Sequence, residues 1–422
     1  MTRPLTFGRR LRGAVATILG GSARDLSRLL GRGSGGMIGG RVALAVDPSV
    51  LATLAHDKQA VIVSGTNGKS TTTKMVRAAL GTAGTVASNT LGDNMPPGVA
   101  TALMNEPRAP FAALEVDEMY VPQVAAEVRP AVLVLLNLSR DQLDRVGEIG
   151  AVERRLRQGV EENPQAHIVA NCDDPLIVSA AWNAPHVTWV AAGSSWGADS
   201  TTFPRTGGQV TRTEDGWFVD EQIRRPDPDW WVDQDSRLHG PGVELPLKLS
   251  LPGQVNLHNA AQAIAAAVEL GVPAAQAAEA VGQVRDVAGR YQEFDVDGRG
   301  VRLLLAKNPA GWQEALAMVD PTVNQVVIAT NGQIPDGVDL SWLWDVRFEE
   351  LPQPERLFAS GDRAADLAVR LGYAGLEAKL VPDPLSAIRQ CQPGPVEVVA
   401  NYTAFRDLLP QLKQIDRAGR AQ

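Results

Sequence analysis

Short, unbroken apolar runs alternate along this chain with segments whose apolar residues recur every three or four positions. The first kind predicts buried strands, the second helices packed upon them. In "VIVSGTNGKSTTTKMVRAAL", Val61, Ile62 and Val63 run into a glycine turn, after which Met75, Val76, Ala79 and Leu80 fall at helical spacing. "FAALEVDEMY" is an apolar strand ending in Glu115, Asp117 and Glu118, and "PAVLVLLNLSRDQLDRVGE" one running into Asn137, Arg140, Asp141 and Asp144. "HIVANCDDPLIVSAA" again places polar residues, Asn171, Asp173 and Asp174, directly after a strand. "LPGQVNLHNAAQAIAAAVELGV" opens on turn residues and continues as an alanine-rich helix with Asn259 in its first turn. From near Arg299, "VRLLLA", "QVVIAT", "ERLFAS", "AKLV" and "VEVVA" alternate with helical segments. Strands and helices in alternation build a mainly parallel sheet, so the chain is predicted to be α/β. A larger domain is expected over residues 1–295 and a smaller, Rossmann-like one over 296–422. Near 194–246 the pattern breaks: Trp217, Trp230 and Trp231 stand among prolines and acids, which predicts an inserted hairpin arm closed by aromatic packing.

The amino-terminal stretch has its own pattern. Leu11, Val15, Ile18 and Leu19 share one helical face, which Leu26, Leu29 and Leu30 extend. Up to Arg41 there are eight arginines against one acid, Asp25, a local charge of +7 in a chain of net charge -8. The rest therefore carries -15, which speaks against nucleic acid as a partner of the main body. A basic amphipathic helix reads either as packed on the body or as touching an anionic membrane surface. The longest apolar run elsewhere, "AVLVLL", is far too short to span a bilayer. With 44% hydrophobic and 21% charged residues, the 422-residue chain has the composition of a soluble globular protein of more than one domain. Its two cysteines, Cys172 and Cys391, make neither a disulfide framework nor a zinc-ribbon set, as expected in a reducing cytoplasm.

The chemistry concentrates where the first strand meets its helix. Free backbone N–H groups and the helix dipole favour an anion at such a junction, and glycines let the main chain approach it. The loop Gly65, Thr66, Asn67, Gly68, Lys69, Ser70, Thr71 is a G-x-x-G-K-[ST] variant, shorter than the usual Walker pattern, which wants a glycine where Val63 stands. Lys69 is expected to reach terminal phosphates of ATP, and the Ser70 hydroxyl to coordinate magnesium. A carboxylate from a neighbouring strand end completes such a metal site, and Glu115 is the candidate. The Asn259 amide could read a purine edge.

Taken in order, "GTNGKSTT", "NLSRDQLDR", "HNAAQAIAAA" and "AGRYQEF" resemble the Mur ligase superfamily. Four further stretches, "SNTLGDNMPPGVATALM", "LLLAKNPAGWQEAL", "DGVDLSWLWDVRFEEL" and "VVANYTAF", are similar to its MurT branch, synthetase subunits that work with a GatD-type glutaminase. The likeness runs from about residue 60 to about 405. It implies a Mur ligase-type central P-loop ATPase domain, with Asn259 and Arg290 as adenine and phosphate contacts and Asn67 supporting the loop. Lys307 and Asn308 would line the acyl-phosphate side, and Gly92, Asn94 and Gly98 a loop over the sugar or pyrophosphate. Two departures stand out. The region from Ser194 to Pro246, where several members of the branch carry a four-cysteine zinc ribbon, contains no cysteine, so zinc is not expected. Gln142 replaces the histidine of the usual "DHLDR", and residues 154–156 are Arg, Arg and Leu where a carbamoylated lysine would help hold a second magnesium.

The resemblance implies ATP-dependent amidation of the α-carboxylate of D-glutamate in the lipid II stem peptide, through an acyl phosphate. About sixty residues precede the loop, fewer than a UDP-sugar domain of about a hundred needs, which fits a lipid-linked substrate. Neither cysteine lies in a glycine-flanked nucleophile elbow, so ammonia must come from a separate glutaminase. One aspartate of the branch completes that partner's Cys-His-Asp triad; among Asp336, Asp339 and Asp345, Asp339 is the candidate. The alternative is a Mur-type or folylpolyglutamate-type ligase that joins an amino acid and needs no glutaminase. A nucleotide-binding scaffold without chemistry would not need Lys69, Ser70 and Glu115 together.

Overall fold

The computed structural model describes residues 7–29, 37–89, 92–140, 149–193, 199–285, 291–337 and 339–420. The candidates Asp141, Gln142, Asp144 and Arg290 lie outside them. Contacts divide the chain into two compact units, Met1–Ser139 with Glu148–Arg285, and Arg140–Gly147 with Asp286–Gln422.

The first unit opens with helices α1 (Phe7–Leu29), α2 (Ile38–Val46) and α3 (Val50–Leu54). Strand and helix then alternate: β1 (Gln59–Ser64), α4 (Lys69–Gly81), β2 (Val86–Ser88), α5 (Pro96–Asn105), β3 (Phe111–Glu115) and α6 (Val121–Val128). They continue as β4 (Val132–Leu135), α7 (Ile149–Glu161), β5 (His167–Asn171), α8 (Pro175–Ala181) and β6 (Val187–Val190). Two small antiparallel sheets follow, β7 (Thr211–Thr213) with β8 (Gly216–Phe218), and β9 (Trp231–Val232) with β10 (Arg237–Gly240) and β11 (Val243–Pro246). Helices α9 (Gln254–Glu269) and α10 (Ala274–Gly282) close the unit.

The main sheet is parallel throughout, in the order β2-β3-β1-β4-β5-β6. Ala60, Ile62, Leu114, Leu133, Leu135 and Ile168 face one apolar cluster, shared with Val99, Leu103, Val124, Leu156 and Ile177 of the covering helices. Because α4, α9 and α10 pack together over the other face, the alternate strand positions are buried as well. That double burial explains why the strand sequences carry no polar alternation. From β1 the chain builds two strands on one side and then three on the other. Adjacent loops diverge at its carboxyl end, and such a reversal leaves a crevice for a ligand.

Phe203, Trp217 and Ile223 bury against Val178 of α8, and the Trp217 indole donates to the Cys172 carbonyl at 2.9 Å. This contact anchors the β7–β8 hairpin to the end of β5. Trp230 lies flat against Gly240, where any β-carbon would stand 2.4 Å from the ring.

The second unit comprises β12 (Tyr291–Val296), β13 (Arg299–Leu305), α11 (Pro309–Ala317), β14 (Gln325–Ala329), β15 (Arg356–Ser360) and α12 (Ala364–Tyr373). It ends with β16 (Lys379–Leu380), α13 (Pro384–Gln390), β17 (Gly394–Ala400) and α14 (Tyr402–Arg420). Its sheet, in the order β12-β13-β17-β14-β15-β16, is parallel except for the β12–β13 pair. Trp312, Leu316, Leu367 and Leu371 cover one face; Ile388, Phe405, Leu408 and Leu412 cover the other. The α/β class read from the sequence is the class these strands and helices form. Among the described residues, no helix is long and apolar enough to cross a membrane.

Candidate active site

The loop between β1 and α4 is stitched to the end of β4. Thr66 N–H donates to the Asn137 carbonyl at 2.8 Å, and Asn67 N–H to Asn137 Oδ1 at 2.9 Å. Asn137 Nδ2 returns a bond to the Asn67 carbonyl at 3.1 Å, and Ser139 N–H donates to Thr66 Oγ1 at 3.0 Å. Gly65, at φ +137°, passes so close to Asn137 that a β-carbon would lie 2.9 Å from its backbone nitrogen and oxygen. Gly68, at φ +82°, caps α4 in the left-handed conformation, and a β-carbon there would meet Asn259 Oδ1 at 2.8 Å. The first full helical bond runs from Thr72 N–H to the Gly68 carbonyl, so the Lys69, Ser70 and Thr71 amides face the helix entrance. Backbone amides so arranged can receive an anion.

Three acids at the end of β3 and just beyond it, Glu115, Asp117 and Glu118, have three different surroundings. Asp117 caps a short turn, accepting from Met119 N–H at 3.0 Å. Glu118 is buried beside Lys69, whose ammonium lies 3.2 Å from Oε1 and 3.3 Å from Oε2. Lys69 also donates to the Gly65 and Thr66 carbonyls at 2.5 and 3.2 Å, which folds it back over its own loop. Glu115 pairs in register with Val63, two residues before the loop, and is 2% exposed. Its backbone N–H and C=O are both held by the Asn89 side chain, at 2.8 and 2.7 Å, while Oε2 is buried without a hydrogen-bond partner among the described residues. A buried carboxylate oxygen without a donor is costly unless a cation answers it. The donor set, a carboxylate and the half-buried Ser70 hydroxyl, is oxygen-only and incomplete, as suits magnesium that keeps waters and phosphate oxygens as its remaining ligands. Among the described residues, no group of three or more His, Cys, Asp or Glu is placed to hold a metal.

Other candidates distribute as follows. Asn259, buried on α9, packs its amide against Gly68. Gly92 is left-handed at φ +79°, Gly98 abuts the Asp93 carbonyl, and the Asn94 carbonyl accepts from Asp117 N–H at 2.9 Å, which joins this loop to the end of β3. At the end of β5, Asp173 accepts from Arg225 Nε at 2.5 Å and from Gly193 N–H at 2.7 Å. Burial holds the nearby His258 below its ordinary pKa. Asp174 caps α8 through Leu176 N–H and also accepts from Leu138 N–H at 2.7 Å; burial outweighs these bonds and pushes its carboxyl up to about 6.

In the second unit, Lys307 is exposed, with its ammonium 5.5 Å from the Tyr402 ring centre, and Asn308 is buried as the cap of α11. Asp336 accepts from Thr403 N–H and its hydroxyl at the start of α14. Asp345 lies 3.7 Å from Arg140. Asp339 is exposed and accepts only a local bond, from Ser341 N–H at 2.8 Å, among the contacts described for it. Sequence reading passed over Glu118 as the lysine's counter-ion, Asn89 as the clamp on Glu115 and Ser139 as a loop support. Only Glu118 had a signal, its place three residues after Glu115.

Residues 63–267 match the Mur ligase middle domain, and residues 305–405 match the MurT ligase C-terminal domain. The chain belongs to the Mur ligase family. It is 28% identical to the MurT subunit of lipid II isoglutaminyl synthase (glutamine-hydrolyzing) from Streptococcus pneumoniae strain R6, over 94% of this chain and 97% of that one. Its identity to the subunit of the same name from Staphylococcus aureus strain N315 is 27%, over the same shares. Among solved structures it is similar to MurF from Acinetobacter baumannii, with a TM-score of 0.68 at 17% identity, over 89% of this chain and 80% of that one. The last likeness is one of fold. The loop Gly65 to Thr71 of this Mur ligase lies inside the matched middle domain, and Asp336, Asp339 and Asp345 lie inside the MurT-type region.

Proposed function

We propose that this Mur ligase is the synthetase subunit of a lipid II isoglutaminyl synthase, amidating the α-carboxylate of D-glutamate in the lipid II stem peptide to D-isoglutamine. The observation that carries the reading is the end-to-end match to glutamine-hydrolyzing MurT subunits, 94% of this chain against 97% of the pneumococcal one. An intact backbone cradle with Lys69, Ser70 and Glu115 supports it. The reaction belongs to the cytoplasm, at the inner face of the membrane that holds the substrate.

A carboxylate resists amide formation because its oxygen is a poor leaving group; Mg-ATP, when bound, supplies the phosphoryl group that makes it an acyl phosphate open to ammonia. The protein contributes positioning and charge. The α4 amides and Lys69 neutralise the phosphates, Lys69 exchanging Glu118 for them. Ser70 and Glu115 are the residues that would hold magnesium, whose positive charge would offset that of the buried Glu115 carboxylate. Asn67 and Asn259 brace the loop from two sides, with Asn259 also offering its amide to adenine. Asp339, exposed and accepting a local bond from Ser341 N–H, reaches a GatD-like glutaminase subunit and orients its catalytic histidine. That partner makes ammonia from glutamine, so the nucleophile need not be drawn from ammonium, which lacks a lone pair.

The test is ATP turnover and product mass with lipid II and ammonium, then with glutamine plus the glutaminase. Amidation under both conditions is expected. Turnover that requires a free amino acid and incorporates it would replace this reading by the amino-acid-adding one.

A further inference from the structure

Helix α1 is docked the wrong way round for an ordinary surface helix. Its buried face is made of the smallest residues: a β-carbon on Gly13 would meet Thr53 Cγ2 at 2.7 Å, one on Gly20 would meet the Gly39 carbonyl at 2.6 Å, and Ala16 between them is fully buried. The helix thus lies nearly backbone to backbone on α2. Its large apolar side chains point outward: Leu11 is 57% exposed, Ile18 67% and Leu26 57%, with Val15 and Leu19 exposed beside them. At 3.6 residues per turn, these five positions fall within roughly 100° of arc, opposite the glycine face. A helix that only stabilised the body would turn its leucines inward.

We propose that this outer face of α1 lies on an anionic lipid bilayer. Charge selects that occupant. Eight arginines against one acid precede residue 42, and the described side chains of Arg9, Arg12 and Arg41 are exposed. Asp25, the single acid, is already paired with Arg24 at 2.9 Å. A second copy of the chain, docked face to face, would bring two such basic ends together, whereas anionic headgroups neutralise them. The remaining chain, at -15, is repelled by the same surface. Attraction at one end and repulsion elsewhere fix an orientation, with α1 inserted to the depth of its leucines and the body held off. The proposal sharpens the lipid-linked reading of function, but its test uses no substrate, so the failure of either can be recognised separately.

Flotation of the full chain with phosphatidylcholine vesicles, alone or mixed with phosphatidylglycerol, provides that test. Binding is expected to the mixed vesicles only, and to be released by salt. Leu11→Ser with Ile18→Ser, both at exposed positions, should weaken it roughly tenfold or more. Arg9→Gln with Arg12→Gln should weaken it and flatten the salt dependence. Circular dichroism and melting establish that each variant is folded. No binding to anionic vesicles, equal binding by the folded leucine variant, or self-association that the leucine variant abolishes would each overturn the proposal.

Discussion

Replacing Glu118 by Gln tests the role of the buried ammonium in the phosphate loop. Lys69 Nζ and Glu118 Oε1 are 3.2 Å apart, with both side chains largely shielded from water. At an effective dielectric constant of about 20, the pair's gross attraction is about 5 kcal/mol. Glutamine keeps an acceptor, and the Gly65 and Thr66 carbonyls still bind the ammonium, so the net loss should be about 2–3 kcal/mol, at the lower end for breaking a buried pair. For a unit of this size that lowers the melting temperature by roughly 4–12 °C. Nucleotide phosphates offer the ammonium a new counter-charge, so saturating Mg-ATP should close most of the gap. Lys69→Met should also destabilise, because it strands Glu118, but Mg-ATP should not rescue it. The double variant should recover part of the loss, giving a coupling free energy for the pair. Thermal melts of all four proteins, with and without Mg-ATP, measure each quantity. If Glu118→Gln melts with the parent, or its deficit persists unchanged under saturating nucleotide, then Glu118 is not the resting partner of a phosphate-binding lysine.

Gly68→Ala forces a β-carbon to within 2.8 Å of Asn259 Oδ1 at φ +82°, so calorimetric titration should show Mg-ATP affinity falling at least about tenfold, with roughly 1 kcal/mol of lost stability. The Asp174 carboxyl is raised from 3.8 to about 6. Between those values the folded state keeps a proton that the unfolded chain has lost, so this group's contribution to stability declines as pH rises through the window. Urea midpoints of Asp174→Asn should therefore fall less steeply than the parent's between pH 4 and pH 6, and parallel curves would exclude the effect. Asp336→Ala should cost about 1–2 kcal/mol, read by denaturation, through loss of the α14 cap, with glutamine- and ammonium-driven amidation affected alike. Asp339→Asn should abolish glutamine-driven amidation and spare the ammonium-driven reaction; loss of both would mean that its role is elsewhere.

Unbroken runs such as Val61–Val63 and "AVLVLL" identified buried parallel strands, and the glycines and Lys-Ser pair after the first run identified a tight loop opening a helix, the kind of junction that can receive a phosphate. Both are local signals: a strand buried on both faces admits no polar alternation, and a helix entrance that receives an anion needs glycine conformations within a few residues. The same local logic found the large apolar face of α1, but not which way it points. That depended on Gly13 and Gly20 meeting Thr53 and Gly39, a contact between separate segments that no helical period records. The acids after β3 show the same division. Sequence placed Glu115, Asp117 and Glu118 at one strand end, whereas tertiary contacts made one a cap, one the partner of Lys69 and one a carboxylate without a donor. Spacing determines which side chains reach the site, but the task of each depends on its distance from groups far along the chain, because Coulomb attraction and desolvation act through space.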